Sequence, residues 1–97
     1  MAAEPLLRQA TEIWRVVLGE NHPDYAVGLD NLAGLYLEMR NYAVAKSLFE
    51  QALAIKGKAL GEDHPDYAIS LNNLVELYRA MGDVETAEPL YLRASEI

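Results

Sequence analysis

Residues 19–39 read GENHPDYAVGLDNLAGLYLEM, and residues 61–81 read GEDHPDYAISLNNLVELYRAM. Laid over itself at this offset of 42 residues, from the pair 1/43 to the pair 55/97, the chain gives 23 identities in 55 pairs. Chance supplies roughly 3 or 4, so the repetition is internal structure written into the sequence. A repeat of this size is one supersecondary unit that cannot bury its apolar face alone and must stack on a neighbour.

The apolar spacing says what the unit is. Tyr25, Leu29, Leu32, Tyr36 and Met39 recur every three or four residues and predict a helix over about 23–39, with one apolar stripe. His22-Pro23-Asp24 opens it. Proline suits the first helical position, where its missing N–H is no loss, and Asp24 suits the helix dipole. Arg40-Asn41 is a short turn, so the next helix runs antiparallel. Its predicted buried stripe is Tyr42, Ala45, Leu48, Phe49, Ala52, Ile55 and Ala59. Gly57 lies inside it at a cost of about 1 kcal/mol relative to alanine, and Gly61 ends it. The second copy predicts a helix over about 65–81, a turn at Gly82-Asp83 with Asp83 as N-cap, and a last helix from Val84 to Ile97. Pro89 lies past the first turn of that helix and removes one hydrogen bond. Before the first copy, Leu6, Leu7, Ala10, Ile13, Val16 and Val17 mark another helix, ended by Gly19. Ala3-Glu4-Pro5-Leu6 returns as Ala87-Glu88-Pro89-Leu90, twice the repeat away, so this helix is the second half of a unit.

The expected fold is all-α, with five antiparallel helices in a single domain over 1–97. Residues 1–18 are the second helix of a partial repeat, 19–60 a complete repeat, and 61–97 a second, slightly truncated one. Apolar residues make up 52% of the chain, which sets it apart from disordered sequences. With no cysteine it has no disulfide or thiolate metal site, and a reducing, cytoplasmic setting is the expectation. No apolar run reaches the ~18 residues of a membrane span, and Met1–Ala10 lacks the pattern of a secretion signal. The net charge of −7 repels phosphate backbones, so neither nucleic acid nor membrane is an expected partner.

Residue by residue, the chain resembles the tetratricopeptide repeat. The family's large residue, Leu, small residue and Tyr of the first helix, and its Ala, aromatic and Ala of the second, match Leu29, Leu32, Ala33, Tyr36, Ala45, Phe49 and Ala52. In the second copy the places hold Leu71, Leu74, Val75, Tyr78, Ala87, Tyr91 and Ala94. Leucine stands for the usual tryptophan, and Val75 is bulkier than the pattern. The 42-residue period and the Ala-Leu-Gly-x-x-His-Pro-Asp joint, Ala59 to Asp66, are similar to the kinesin light chain type of repeat. The resemblance implies helix pairs stacked as a right-handed superhelix with a concave inner face. It also implies a peptide-binding groove along the first helices, here Val27, Asp30, Asn31, Gly34, Leu37 and Glu38 with Ile69, Asn72, Asn73, Glu76 and Arg79.

Asn31 and Asn73 hold one place in both copies. Each offers a donor and an acceptor, so the two can clamp an extended peptide backbone without reading its sequence. In the kinesin light chain type such asparagines form a ladder that holds cargo peptides. The groove set counts Asp30, Glu38 and Glu76 against Arg79, a net −2, which favours a neutral or basic peptide. Relatives that grip a chaperone's C-terminal carboxylate need several basic groove residues, which this set lacks. His22 and His64, one per repeat, are poor support for zinc, which needs three or four converging ligands. Their His-Pro-Asp matches the J-domain tripeptide but opens a helix twice at repeat spacing. No phosphate loop, nucleophile elbow or histidine base accompanies the carboxylates, so no catalytic residue, cofactor or metal is expected. Trp14 stands where the copy has Lys56, which predicts a partly exposed ring at the array's open end. The alternative to peptide binding is a structural spacer, or weak end-to-end self-association through the apolar faces of the first and last helices.

Overall fold

The structure, a computed structural model, describes residues 3–97, with side chains from Pro5 onward. Met1 and Ala2, part of the stretch read for a secretion signal, and the side chains of Ala3 and Glu4 in the Ala-Glu-Pro-Leu echo, lie outside the described residues. Five helices follow in chain order: α1 (Ala3–Leu18), α2 (Pro23–Glu38), α3 (Tyr42–Leu60), α4 (Pro65–Ala80) and α5 (Val84–Ser95). The starts of α2 and α4, and of α3 and α5, differ by the sequence period of 42 (Pro23 to Pro65, Tyr42 to Val84).

Local chemistry sets the boundaries. His22 and His64 are the N-caps of α2 and α4. Each imidazole Nδ1 accepts from the backbone N–H two residues on, Asp24 and Asp66, at 3.1 Å in both copies. Histidine thus does the work usually given to serine or aspartate. The tight turns are also duplicated. The N–H of Asn41 reaches the Tyr36 carbonyl (2.9 Å) and that of Arg40 reaches Leu37 (3.0 Å); Asp83 to Tyr78 (2.8 Å) and Gly82 to Arg79 (3.0 Å) repeat the pattern. This closure satisfies the last carbonyls of the helix and needs a left-handed residue. Gly82 supplies it at φ 78° without strain, but in the first copy Arg40 is forced to φ 62°.

Consecutive helices pack in antiparallel order, and α2 also touches α4. Among the described residues α1, α3 and α5 make no such contact with one another. The first helices of the pairs therefore close up while the second helices splay, which bends the stack with α2 and α4 on the inside. The Cα envelope is a slab of 35 × 30 × 14 Å, the thickness of two helix layers. Small residues make the close approach possible: Ala26, Ala33, Ala45 and Ala52 are all fully buried. The main core joins Leu32, Ala33, Tyr36, Ala45 and Phe49 to Leu74 and Leu77 of the next unit.

Several sequence expectations need correcting. Met39 is 46% exposed, because it caps α2 rather than continuing its stripe. Ala59 is exposed as well, since the 19-residue α3 outruns the 16-residue α2. Gly57 has a packing reason: a Cβ there would stand 3.0 Å from the Tyr67 ring, which is buried against it. The end faces are apolar in part: Leu6, Ile13, Val16 and Val17 are exposed on α1 and Tyr91 and Leu92 on α5, whereas Leu7 lines the inner cavity and Ala94 is buried. Their proposed meeting does not copy the internal stack, however. Inside the molecule a second helix packs on the first helix of the next pair (α3 on α4), whereas α5 against α1 sets two second helices together.

Arg40→Gly removes a left-handed penalty of ~1–2 kcal/mol, offset partly by the flexibility of glycine in the unfolded chain. A net gain of about 0.5–1 kcal/mol is expected in urea unfolding; an unchanged or lower midpoint would show that the two turns are not equivalent.

Candidate functional site

The inner face formed by α2 and α4 holds a cavity of about 500 Å³. Seven of the eleven groove residues expected from the sequence line it: Asp30, Asn31, Gly34, Leu37 and Glu38 from α2, and Asn73 and Glu76 from α4. The other four do not. Val27 and Ile69 are exposed (41% and 54%), Asn72 is exposed, and Arg79 lies with its Cζ 5.6 Å from the centroid of the Tyr91 ring. The structure adds Leu7, Leu35 and Phe49 as apolar walls. Leu7 and Phe49 hold one place in successive units, so the repeat register was the signal that could have found them.

Under this cavity lies a polar cluster that unites three helices. Asp30 Oδ2 on α2 accepts from Lys56 Nζ on α3 at 2.9 Å and from Ser70 Oγ on α4 at 3.1 Å. The side chains of Lys56 and Asp30 are only 4% and 9% exposed. The other oxygen, Asp30 Oδ1, is buried and has no hydrogen-bond partner among the described residues. Position 56 is expected from the sequence to tolerate an exposed lysine; the lysine is buried instead, paired with Asp30. The same two repeat positions are filled differently at the preceding joint. There Trp14 replaces Lys56 and Gly28 replaces Ser70. A Cβ on Gly28 would stand 2.9 Å from the indole, so the ring, 36% exposed, lies against the bare backbone of α2. Thr11 Oγ1 donates to the Gly28 carbonyl across that joint at 3.4 Å. Trp14 is thus partly exposed as expected, but for a different reason.

With Lys56 counted, the charges at the cavity are Asp30, Glu38 and Glu76 against Lys56, and among the described residues no lysine or arginine lines the wall. Two amides, three carboxylates and four apolar side chains can hold hydrogen-bond donors and an apolar stem. A second hollow, of about 510 Å³, lies on the outer face of α1 between Ile13, Val16 and Val17. At its edge Arg15 hydrogen-bonds Glu12 and holds that carboxyl below the usual carboxylate range; both groups face solvent.

A tetratricopeptide repeat family model matches residues 1–58 and again 31–97, which together take in the whole chain. The chain belongs to the tetratricopeptide repeat family. The crystal structure of BtubC (BKLC) from P. vanneervenii is similar, with 31% identity and a TM-score of 0.85 over 97% of this chain. This chain spans about 38% of that one. No curated protein matches it. The fold is therefore the tetratricopeptide solenoid, a right-handed stack of helix pairs, and repeats of this family are typically non-catalytic modules of protein–protein interaction.

Removing one member of the buried pair leaves the other charged and unpaired, at a cost of ~3–5 kcal/mol, while an apolar pair of similar volume is about neutral. Lys56→Met or Asp30→Leu alone should therefore unfold at much lower urea than the double variant. Additive losses in the double-mutant cycle would show that the two side chains do not act together.

Proposed function

We propose that this chain is a protein-interaction module that holds an extended peptide of a partner protein along α2 and α4, without catalysis. The observation that carries this reading is the position of Asn31 and Asn73. They stand 42 residues apart in sequence and line one cavity on the inner face. Amides in register along successive units match the repeating N–H and C=O groups of an extended backbone. The chemistry of the wall favours a neutral or basic peptide. In this reading residues 1–18 act as the second helix of a partial repeat, 19–60 as a complete repeat and 61–97 as a second. The likeness of the 42-residue period to the kinesin light chain type points the same way. Among the described residues no helix is long and apolar enough to cross a membrane, and the reading takes the cytoplasm as the setting.

A second reading, a spacer or self-associating segment, draws on the exposed Leu6, Ile13, Val16 and Val17 of α1. An apolar face of this kind favours association. Because α5 against α1 does not reproduce the internal stack, that association is weak in this account.

Asn31→Ala with Asn73→Ala separates the two. Neither side chain takes part in the core clusters, so circular dichroism should be unchanged. Retention of the chain on an immobilised random-peptide library should fall at least several-fold, each lost hydrogen bond being worth about 0.5–1.5 kcal/mol. Unchanged retention by the folded variant refutes the amide clamp.

A further inference from the structure

The groove reading leaves one oxygen without a purpose, and from it we infer that the cavity between α2 and α4 is a subsite for a cationic side chain, lysine or arginine, of the bound peptide. The inference rests on the peptide-groove reading above and deepens it. Asp30 is more than nine-tenths buried and lines the cavity, yet only Oδ2 is used, by Lys56 and Ser70. Oδ1 is buried with no hydrogen-bond partner among the described residues. A buried carboxylate oxygen with no donor is costly, and a donor arriving from the cavity removes that cost. The carboxylate torsion is broad, so Oδ1 can turn slightly toward such a donor.

Oδ1 is covered in the free chain, so the carboxylate must turn for a donor to reach it, and Gly34, one helical turn on, leaves room for that donor. Asp30, Gly34 and Glu38 follow each other at four-residue steps along one row of α2. A Cβ built on Gly34 meets nothing within 4 Å. The copy has Glu76 at the same place, and it lines the cavity from α4. An entering side chain thus passes between Glu38 and Glu76, with the walls of Leu7, Leu35 and Phe49 beside its methylene stem. Among the described residues no basic side chain lines the wall to compete: Lys56 is turned to Asp30, Arg79 lies over Tyr91, and Arg8 hydrogen-bonds Tyr36. A neutral donor satisfies Oδ1 equally well, but only a cation also answers the two further carboxylates.

The test uses the whole chain and four immobilised pools of nonapeptides, with random flanks and a fixed central arginine, lysine, citrulline or glutamate. Citrulline keeps the shape of arginine without its charge. The arginine and lysine pools should each retain about tenfold more protein than the citrulline pool, the difference expected of a charge-assisted bond. Gly34→Leu fills the cavity above Asp30 with no clash at Cβ and improves helix propensity. It should abolish the preference with the melting temperature unchanged or raised. Glu38→Gln with Glu76→Gln, both at exposed positions, should reduce it several-fold. Equal retention of the citrulline and arginine pools, or a lead for glutamate, overturns the subsite while leaving the peptide groove standing. A cation preference that survives Gly34→Leu also overturns it, because the charge is then read elsewhere on this acidic chain. If no pool is retained, the groove reading itself fails and takes the subsite with it.

Discussion

One carboxylate oxygen, Asp30 Oδ2, meets Lys56 from α3 and Ser70 from α4 while its own backbone belongs to α2. It is the point where the first complete helix pair is tied to the second. Apolar packing alone leaves such a joint free to slide, since Leu32, Tyr36, Phe49, Leu74 and Leu77 offer non-directional contact. A buried, hydrogen-bonded charge is directional, and misplacing it strands a charge away from water. Its net contribution to stability is small by the same reasoning; its contribution is to register. The preceding joint reaches a fixed register by shape instead, with the Trp14 ring seated on Gly28.

That joint also makes the inner face what it is. Because α2 and α4 are held side by side, Asn31 and Asn73 face one cavity, with Glu38 and Glu76 beside them. The polar cluster engages Lys56, and among the described residues no lysine or arginine lines the cavity, so its wall is acidic. Asp30 thus belongs to both stories, as the tie between repeats and as a buried side-chain acceptor left unused among the described residues.

The fold was legible because repetition reports it twice. Helix starts at His22 and His64, turns at Arg40 and Gly82, and small residues at Ala33, Ala45 and Ala52 all follow from local propensity and spacing. The groove was legible in part: residues on the row from Asp30 to Glu38 followed from helical geometry. Val27, Ile69, Asn72 and Arg79 lie on the same helices but do not reach the cavity, because the bend of the stack decides how much of each helix faces inward. The buried cluster was not legible from either copy alone. Lys56 and Ser70 lie 26 and 40 residues from Asp30, and the cluster's members are places where the copies disagree: Trp14 with Lys56, Gly28 with Ser70, and Asp30 with Asn72. Positions that change between repeats marked the joint-specific chemistry, while positions that stay the same marked the fold.

The central claim is that the inner face of α2 and α4, and not an outer face, is where a partner binds. Amide chemical-shift mapping of the labelled protein, during titration with a peptide selected for binding, tests it most directly. The account predicts that the largest shifts cluster at Asp30, Asn31, Gly34, Asn73 and Glu76. Shifts confined to Ile13, Val16 and Val17 on α1, or to Tyr91 and Leu92 on α5, with the inner face silent, would contradict it.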